Sequence, residues 1–144
     1  MYIGICFMYL VCCTMVCIHV FFVADRIPPL SVSLINGGYY SEGVVQVLHN
    51  GSWGGICYTS TWVSSVVTVI CRELGFPGAI RGPPSTEFNV VANAHAPAWL
   101  SSVSCVGTEE RLSDCAYSPP AEGITCAQNW LGAVVCLSEL LQYT

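Results

Sequence analysis

The side chains in this sequence that could do chemistry are mostly cysteines. Ten occur in 144 residues. Cys6, Cys12, Cys13 and Cys17 lie in an uncharged N-terminal stretch and read as apolar residues, with acylation as the alternative. Cys57, Cys71, Cys105, Cys115, Cys126 and Cys136 form an even set, and an even set in an exported chain reads as a disulfide framework. Zinc is the competing chemistry. It fits poorly, because no Cys-x-x-Cys pair occurs among the six and neither His49 nor His95 has ligand-like spacing to them. Six cysteines allow about 15 connectivities, and spacing alone does not choose among them. No Ser/His/Asp or Cys/His arrangement is suggested by spacing, so no enzyme, cofactor or metal is expected. One modification signal stands out. Asn50-Gly51-Ser52 is an N-glycosylation acceptor in a secretory chain. The competing reading is a turn that matches the pattern by chance.

That turn belongs to the elements that must position these residues. Asn-Gly between β-forming runs is the strongest short hairpin signal, since a type I′ turn needs φ > 0 at both central residues. "EGVVQVLH" precedes it, with Val45 and Val47 on one face at period two. "SWGGIC" returns, and on this reading it delivers Trp53 to the core. "SVSLI" is a first strand and "NGGYYSEG" a turn-rich loop. "VSSVVTVICRELG" is strand-like in propensity. Val66, Val67, Ile70, Cys71 and Leu74 nevertheless fall on a helical face, which predicts a helix over 64–74. Ser64 or Ser65 is the expected N-cap, and Gly75 stands where a C′ glycine belongs. "FPGAIRGPPSTEFNVVANAHAP" reads as one long loop and "AWLSSVSC" as a strand. "GTEERLSDC" reads as a short helix capped by Thr108, with Glu109 and Glu110 in its first turn. "AYSPPAEGITC" is loop and "GAVVCL" a closing strand.

Composition sets the compartment. The net charge is −5, with four arginines and no lysine. This excludes a basic nucleic-acid footprint and a polybasic membrane patch. Tyr2 to Ala24 carries no charge. As a helix it would measure roughly 34 Å, against a hydrocarbon core of about 30 Å. Residues 1–26 therefore read as a signal peptide or a retained anchor, with possible membrane attachment through residues 2–24. Ala24 suits a cleavage site, Phe22 does not, and no basic n-region precedes the apolar run. Residues 27–31 with Pro28-Pro29 are a linker, 32–137 a domain, and 138–144 a tail.

"EGVVQVLHNGSWGGIC", "VICRELGFPGA", "AWLSSVSCVGTEERLSDC" and "GAVVC", in this order, resemble a scavenger receptor cysteine-rich domain over Val32 to Leu137. The form with eight cysteines has one more near Ser41 and another at Phe76. Both are missing here, so the chain is similar to the six-cysteine group. The resemblance implies Cys57–Cys126, Cys71–Cys136 and Cys105–Cys115. It also implies an α+β fold, with a curved antiparallel sheet cradling one main helix, a second small sheet, a short second helix and long loops. It implies a non-catalytic extracellular module, secreted or on a membrane, that binds a protein or cell-surface ligand. The alternative is a structural or adhesion module, or a piece of a larger extracellular protein, with no ligand of its own.

The departures from the family pattern concern the ligand. Cation-binding members carry acidic residues after the first retained cysteine, after Trp-Leu and before the closing strand. Here those places hold Tyr58-Thr59, Ser101-Ser102 and Asn129-Trp130-Leu131. Calcium needs several hard oxygens, largely carboxylates. Arginine clusters for polyanions are missing too, since the domain has only Arg72, Arg81 and Arg111. Tyr58, Trp130 and Leu131 are then the expected ligand surface, apolar and suited to a protein partner.

Overall fold

The computed structural model describes the backbone of residues 3–11 and 14–22 and all of residues 30–138. The first two segments, β1 (Ile3–Val11) and β2 (Thr14–Phe22), pair antiparallel. These two segments are thus extended, in keeping with their Ile, Val, Phe and Thr content. No helix among the described residues is long and apolar enough to cross a membrane. Ala24, the Pro28-Pro29 linker and residues 139–144 lie outside the described residues.

The domain is built on β3 (Val32–Ile35), β4 (Glu42–His49), β5 (Ser52–Ile56), β6 (Gly78–Arg81), β7 (Ala98–Leu100) and β10 (Ala133–Leu137). They form one sheet in the order β6-β10-β4-β5-β7, with β3 on the other side of β4. All pairs are antiparallel except β5–β7. A second small sheet pairs β8 (Val103–Ser104) with β9 (Ala116–Tyr117). The Asn50-Gly51 turn has φ +49° and +78° and sets His49 opposite Ser52, as a two-residue type I′ hairpin requires.

Because the sheet is curled, both faces of β4 are covered. Val45 and Val47 join the core under the helix, while Val44 joins a second cluster with Val90, Ala98, Leu131 and Ala133. The helix, α1 (Ser64–Glu73), buries Val66, Val67, Val69, Ile70 and Cys71. Its N-cap is Val63, with no side-chain cap, so Ser64 and Ser65 lie inside the first turn. Its C-terminus closes as a Schellman motif. Gly75 has φ +90°, its N–H donates to Arg72 O, and the Phe76 N–H donates to Cys71 O. The Phe76 ring then meets Tyr40 at 5.6 Å, where the resemblance puts the missing fourth bridge.

Several expectations are corrected. Trp53 is 41% exposed, while Trp99 on β7 is 9% exposed and fills the core. The cause is Gly54. A Cβ there would lie 2.4 Å from the Trp99 ring, so that ring occupies the inward site on β5. Trp53 points to the opposite face, at the turn end. Next, residues 105–111 are not helical, and only Leu112–Asp114 forms a 3₁₀ turn. Thr108 is no cap. Instead the Glu109 carboxylate accepts the N–H groups of Val106 (2.8 Å) and Gly107 (2.7 Å) and folds the loop back on itself. Finally, the long loop after Gly75 contains β6, which exists because β10 offers its other edge, and a 3₁₀ turn at Ser85–Phe88. "AWLSSVSC" is split between the two sheets as β7 and β8.

Candidate functional site

Three disulfides brace this framework: Cys57–Cys126, Cys71–Cys136 and Cys105–Cys115, spanning 69, 65 and 10 residues. The first two close long loops. The Cys57–Cys126 bond joins the end of β5 to the start of the 126–131 loop, and Cys71–Cys136 fastens α1 to β10. The small Cys105–Cys115 loop has a second tether. Arg72 on α1 donates to the carbonyls of Gly107 (3.0 Å) and Glu109 (2.7 Å). Glu73 accepts the Leu112 N–H at 3.3 Å. Burial pushes the half-buried Glu73 carboxyl up, and the Leu112 N–H pulls it part of the way back. Glu109 behaves oppositely. The Val106 N–H leads the backbone donors that hold this exposed carboxyl below its ordinary range. Cys105, Cys115 and Glu109 are close enough to suggest a metal cluster. The two sulfurs are bonded to each other and the carboxylate is engaged, so the group is structural.

The sheet brings the three departing loops together. The Cys57 N–H donates to Leu100 O at 2.9 Å, and the Tyr58 N–H donates to Trp130 O at 2.9 Å. Residues 57–59 therefore run between 100–102 and 129–131. Tyr58 and Trp130 meet edge to face, with ring centroids 6.1 Å apart. Both are partly exposed. Leu131 does not belong to this surface, and the expectation is corrected. It is 1% exposed and packs against Gly55 in the second core cluster. Residues 130 and 131 alternate across an extended chain, so only one can face out.

Several polar atoms at this end bond to one another. The Ser101 N–H and hydroxyl and the Ser102 N–H all reach the Ser118 hydroxyl, at 3.1, 3.0 and 3.2 Å. Thr59 and Thr61 share a hydroxyl hydrogen bond of 2.8 Å. Ser118 was not legible as a site residue, because its place depends on pairing between distant segments. Gln128 and Asn129 both have φ +56°. Consecutive left-handed non-glycine residues cost of order 1–3 kcal/mol each. They are held by the Ala92 N–H donating to Asn129 O at 2.7 Å, and they aim Trp130 at Tyr58. Elsewhere, Asn50 is exposed at its turn, with its amide 3.2 Å from the His49 ring nitrogen.

Comparison with known proteins adds the following. Residues 35–137 match the family model for the scavenger receptor cysteine-rich domain. The chain is 34% identical over 110 residues to the egg peptide speract receptor of Strongylocentrotus purpuratus, which covers 76% of this chain and 20% of that protein. It is 34% identical over 92 residues to lysyl oxidase homolog 2 of Homo sapiens, covering 64% and 11%. It is 36% identical over 87 residues to the CD5 antigen-like protein of Mus musculus, covering 60% and 24%. The chain thus spans less than a quarter of the length of each of these curated relatives. Among solved structures it resembles the third such domain of murine neurotrypsin, with TM-score 0.62 and 31% identity over 74% of this chain and 95% of that one. It also resembles the corresponding domain of mouse MARCO in its dimeric form, with TM-score 0.54 and 31% identity over 67% and 86%.

Proposed function

The chain belongs to the scavenger receptor cysteine-rich family, and from that premise we propose that it is a non-catalytic recognition module. On this reading it is exported or held at a membrane through residues 2–24. It binds an extracellular protein through Tyr58 and Trp130. The observation that carries this reading is the convergence of three loops on a partly exposed Tyr–Trp pair with no carboxylate among them. Paired aromatics at the centre of a patch are the usual anchors of protein interfaces. The three disulfides support passage through an oxidising compartment. A non-catalytic role is supported by the bonding of all six domain cysteines and by the placing of His49 edge-on to Trp99 at a hairpin end. Similarity to a lysyl oxidase homolog covers 11% of that protein, so its activity is not carried over.

Calcium is not part of the proposed recognition. Hydroxyls committed to one another are poor ligands for a hard cation, whose affinity rises with carboxylate count. The test is a protein and glycan array probed with the exported chain, with and without chelator. The expected result is a protein ligand retained in chelator and weakened at least about tenfold by Tyr58→Ala with Trp130→Ala. Ligand binding that chelator abolishes, or saturable calcium binding by calorimetry below millimolar concentration, refutes the assignment. A second reading rests on the small share of each relative that the chain spans: a structural or adhesion module of a larger extracellular protein. It predicts that the arrays find no ligand at all.

A further inference from the structure

A second surface lies at the opposite end of β10. Trp130 precedes that strand and Ser138 follows it. Tyr39, Tyr40, Ser41, Glu42, Val135 and Ser138 line a groove of about 390 Å³ there, within the size range of small-ligand sites. Tyr39 and Tyr40 are 75% and 69% exposed, the most exposed aromatic residues of the described domain. Two large aromatic side chains side by side in water are poorly explained by packing.

The loop that carries them is built tightly. The Glu42 N–H donates to Tyr39 O at 3.2 Å, and the Cys136 N–H donates to Ser41 O at 2.8 Å. The loop is thereby pinned to β10 beside a disulfide. Gly37 is pressed against the Glu42 backbone, where a Cβ would fall 1.8 Å from the carbonyl oxygen. Gly37 is therefore required by close approach rather than by flexibility. Tyr40 is further propped by its contact with Phe76. A loop fixed in this way offers its side chains preorganised, which lowers the ordering cost of binding.

The chemistry of the groove is unbalanced. Glu42 is partly buried, and among the described residues no cation or hydrogen-bond donor reaches its carboxylate. Tyr39 and Tyr40 supply aromatic rings, and the negative quadrupole of an aromatic π face favours cations. Among the described residues no arginine or histidine lines the groove. A carboxylate and two aromatic rings around one apolar recess are complementary to a cation carried on an apolar stem. We propose that this groove receives an arginine or lysine side chain of an extracellular protein partner, with the charge set against Glu42 and the stem over Tyr39 and Tyr40. This rests on the reading of the domain as a recognition module, but it concerns a surface distinct from Tyr58 and Trp130, so either can fail without the other.

The test uses the full chain exported from eukaryotic cells, at low ionic strength. Acetyl-arginine methylamide is titrated by ligand-observed NMR beside acetyl-citrulline methylamide, a neutral side chain of nearly the same shape. Arginine should bind in roughly the millimolar range, as expected of one side chain alone, and at least about fivefold more tightly than citrulline. Glu42→Gln should remove the preference, and Tyr39→Ala with Tyr40→Ala should weaken arginine several-fold. Tyr58→Ala should leave the titration unchanged. Equal binding of the two probes overturns the proposal, as does a Glu42→Gln protein that still prefers arginine. An unchanged titration in the double tyrosine variant also overturns it. Circular dichroism of each variant shows that the fold is intact, so loss of binding reports on the groove.

Discussion

Removing the bridges one at a time should rank them by the loops they close. The three disulfides span 65, 69 and 10 residues. In the chain-entropy model Cys71–Cys136 contributes about 4.3 kcal/mol, Cys57–Cys126 about 4.4 and Cys105–Cys115 about 2.7. Replacing both cysteines by alanine avoids a free thiol. The predicted gap between Cys71→Ala/Cys136→Ala and Cys105→Ala/Cys115→Ala is then about 1.7 kcal/mol. At about 4–8 °C per kcal/mol this separates their midpoints by roughly 7–13 °C. Native-state contacts push in the same direction. Cys71 and Cys136 are fully buried, so their truncation also leaves a cavity in the core. The small loop keeps its tethers through Arg72 and Glu73 after its bridge is gone. A domain of ordinary stability holds about 5–15 kcal/mol in all, so the Cys71→Ala/Cys136→Ala protein should reach the medium in reduced yield. The assay is thermal and urea unfolding of the secreted variants, with non-reducing peptide mapping of the remaining bridges. If the Cys105→Ala/Cys115→Ala protein loses as much stability as the other, loop closure does not govern this fold and the reasoning fails.

Other outcomes follow from single sites. Asn50 should carry a glycan in protein from a eukaryotic host, because its turn is exposed; an unchanged mass after glycosidase treatment refutes this. Leu131→Ala should cost about 2–5 kcal/mol as a fully buried truncation, while Trp53→Ala should cost under about 1 kcal/mol; urea unfolding distinguishes them, and the reverse order would mean that Trp53 is the core residue. Glu73 gives a pH dependence. Its folded pKa is raised, so the folded state binds the proton more tightly, and stability should fall as pH rises from the ordinary carboxylate range through the raised value. Glu73→Gln should flatten that slope, and an unchanged slope in the variant would remove Glu73 as its source.

What could be read from sequence was local. The Asn50-Gly51 hairpin declared itself through turn chemistry, and its φ values follow. The 64–73 helix won over its β-branched composition because one face is apolar at helical spacing and Cys71 anchors that face. The errors share a cause. Trp53 and Trp99 are both tryptophans on short strands, and only Gly54 decides which fills the core. That decision is made across β5 and β7, not along either. Likewise β6 looks like loop until β10 lies beside it. Glu109 looks like a first-turn acid, but its carboxylate satisfies the two backbone N–H groups that a helix would have left for a cap.

The same division between local and distant interactions separates what holds the fold from what its loops display. The core is held by the sheet, by α1 and by two bridges that close long loops. Residues 58–59, 101–102 and 128–130 meet through backbone hydrogen bonds from Cys57, Tyr58 and Ala92, which do not depend on the side chains displayed. The side chains these loops display can therefore vary at small structural cost. Ser118 has an organising role of its own, gathering Ser101 and Ser102 around one hydroxyl. The left-handed Gln128-Asn129 pair is held by the Ala92 N–H donating to Asn129 O, and it directs Trp130 onto Tyr58. Backbone strain beside a displayed aromatic pair is the reason to test the proposed surface by Tyr58→Ala with Trp130→Ala, and unchanged ligand binding in that variant refutes a role for the pair.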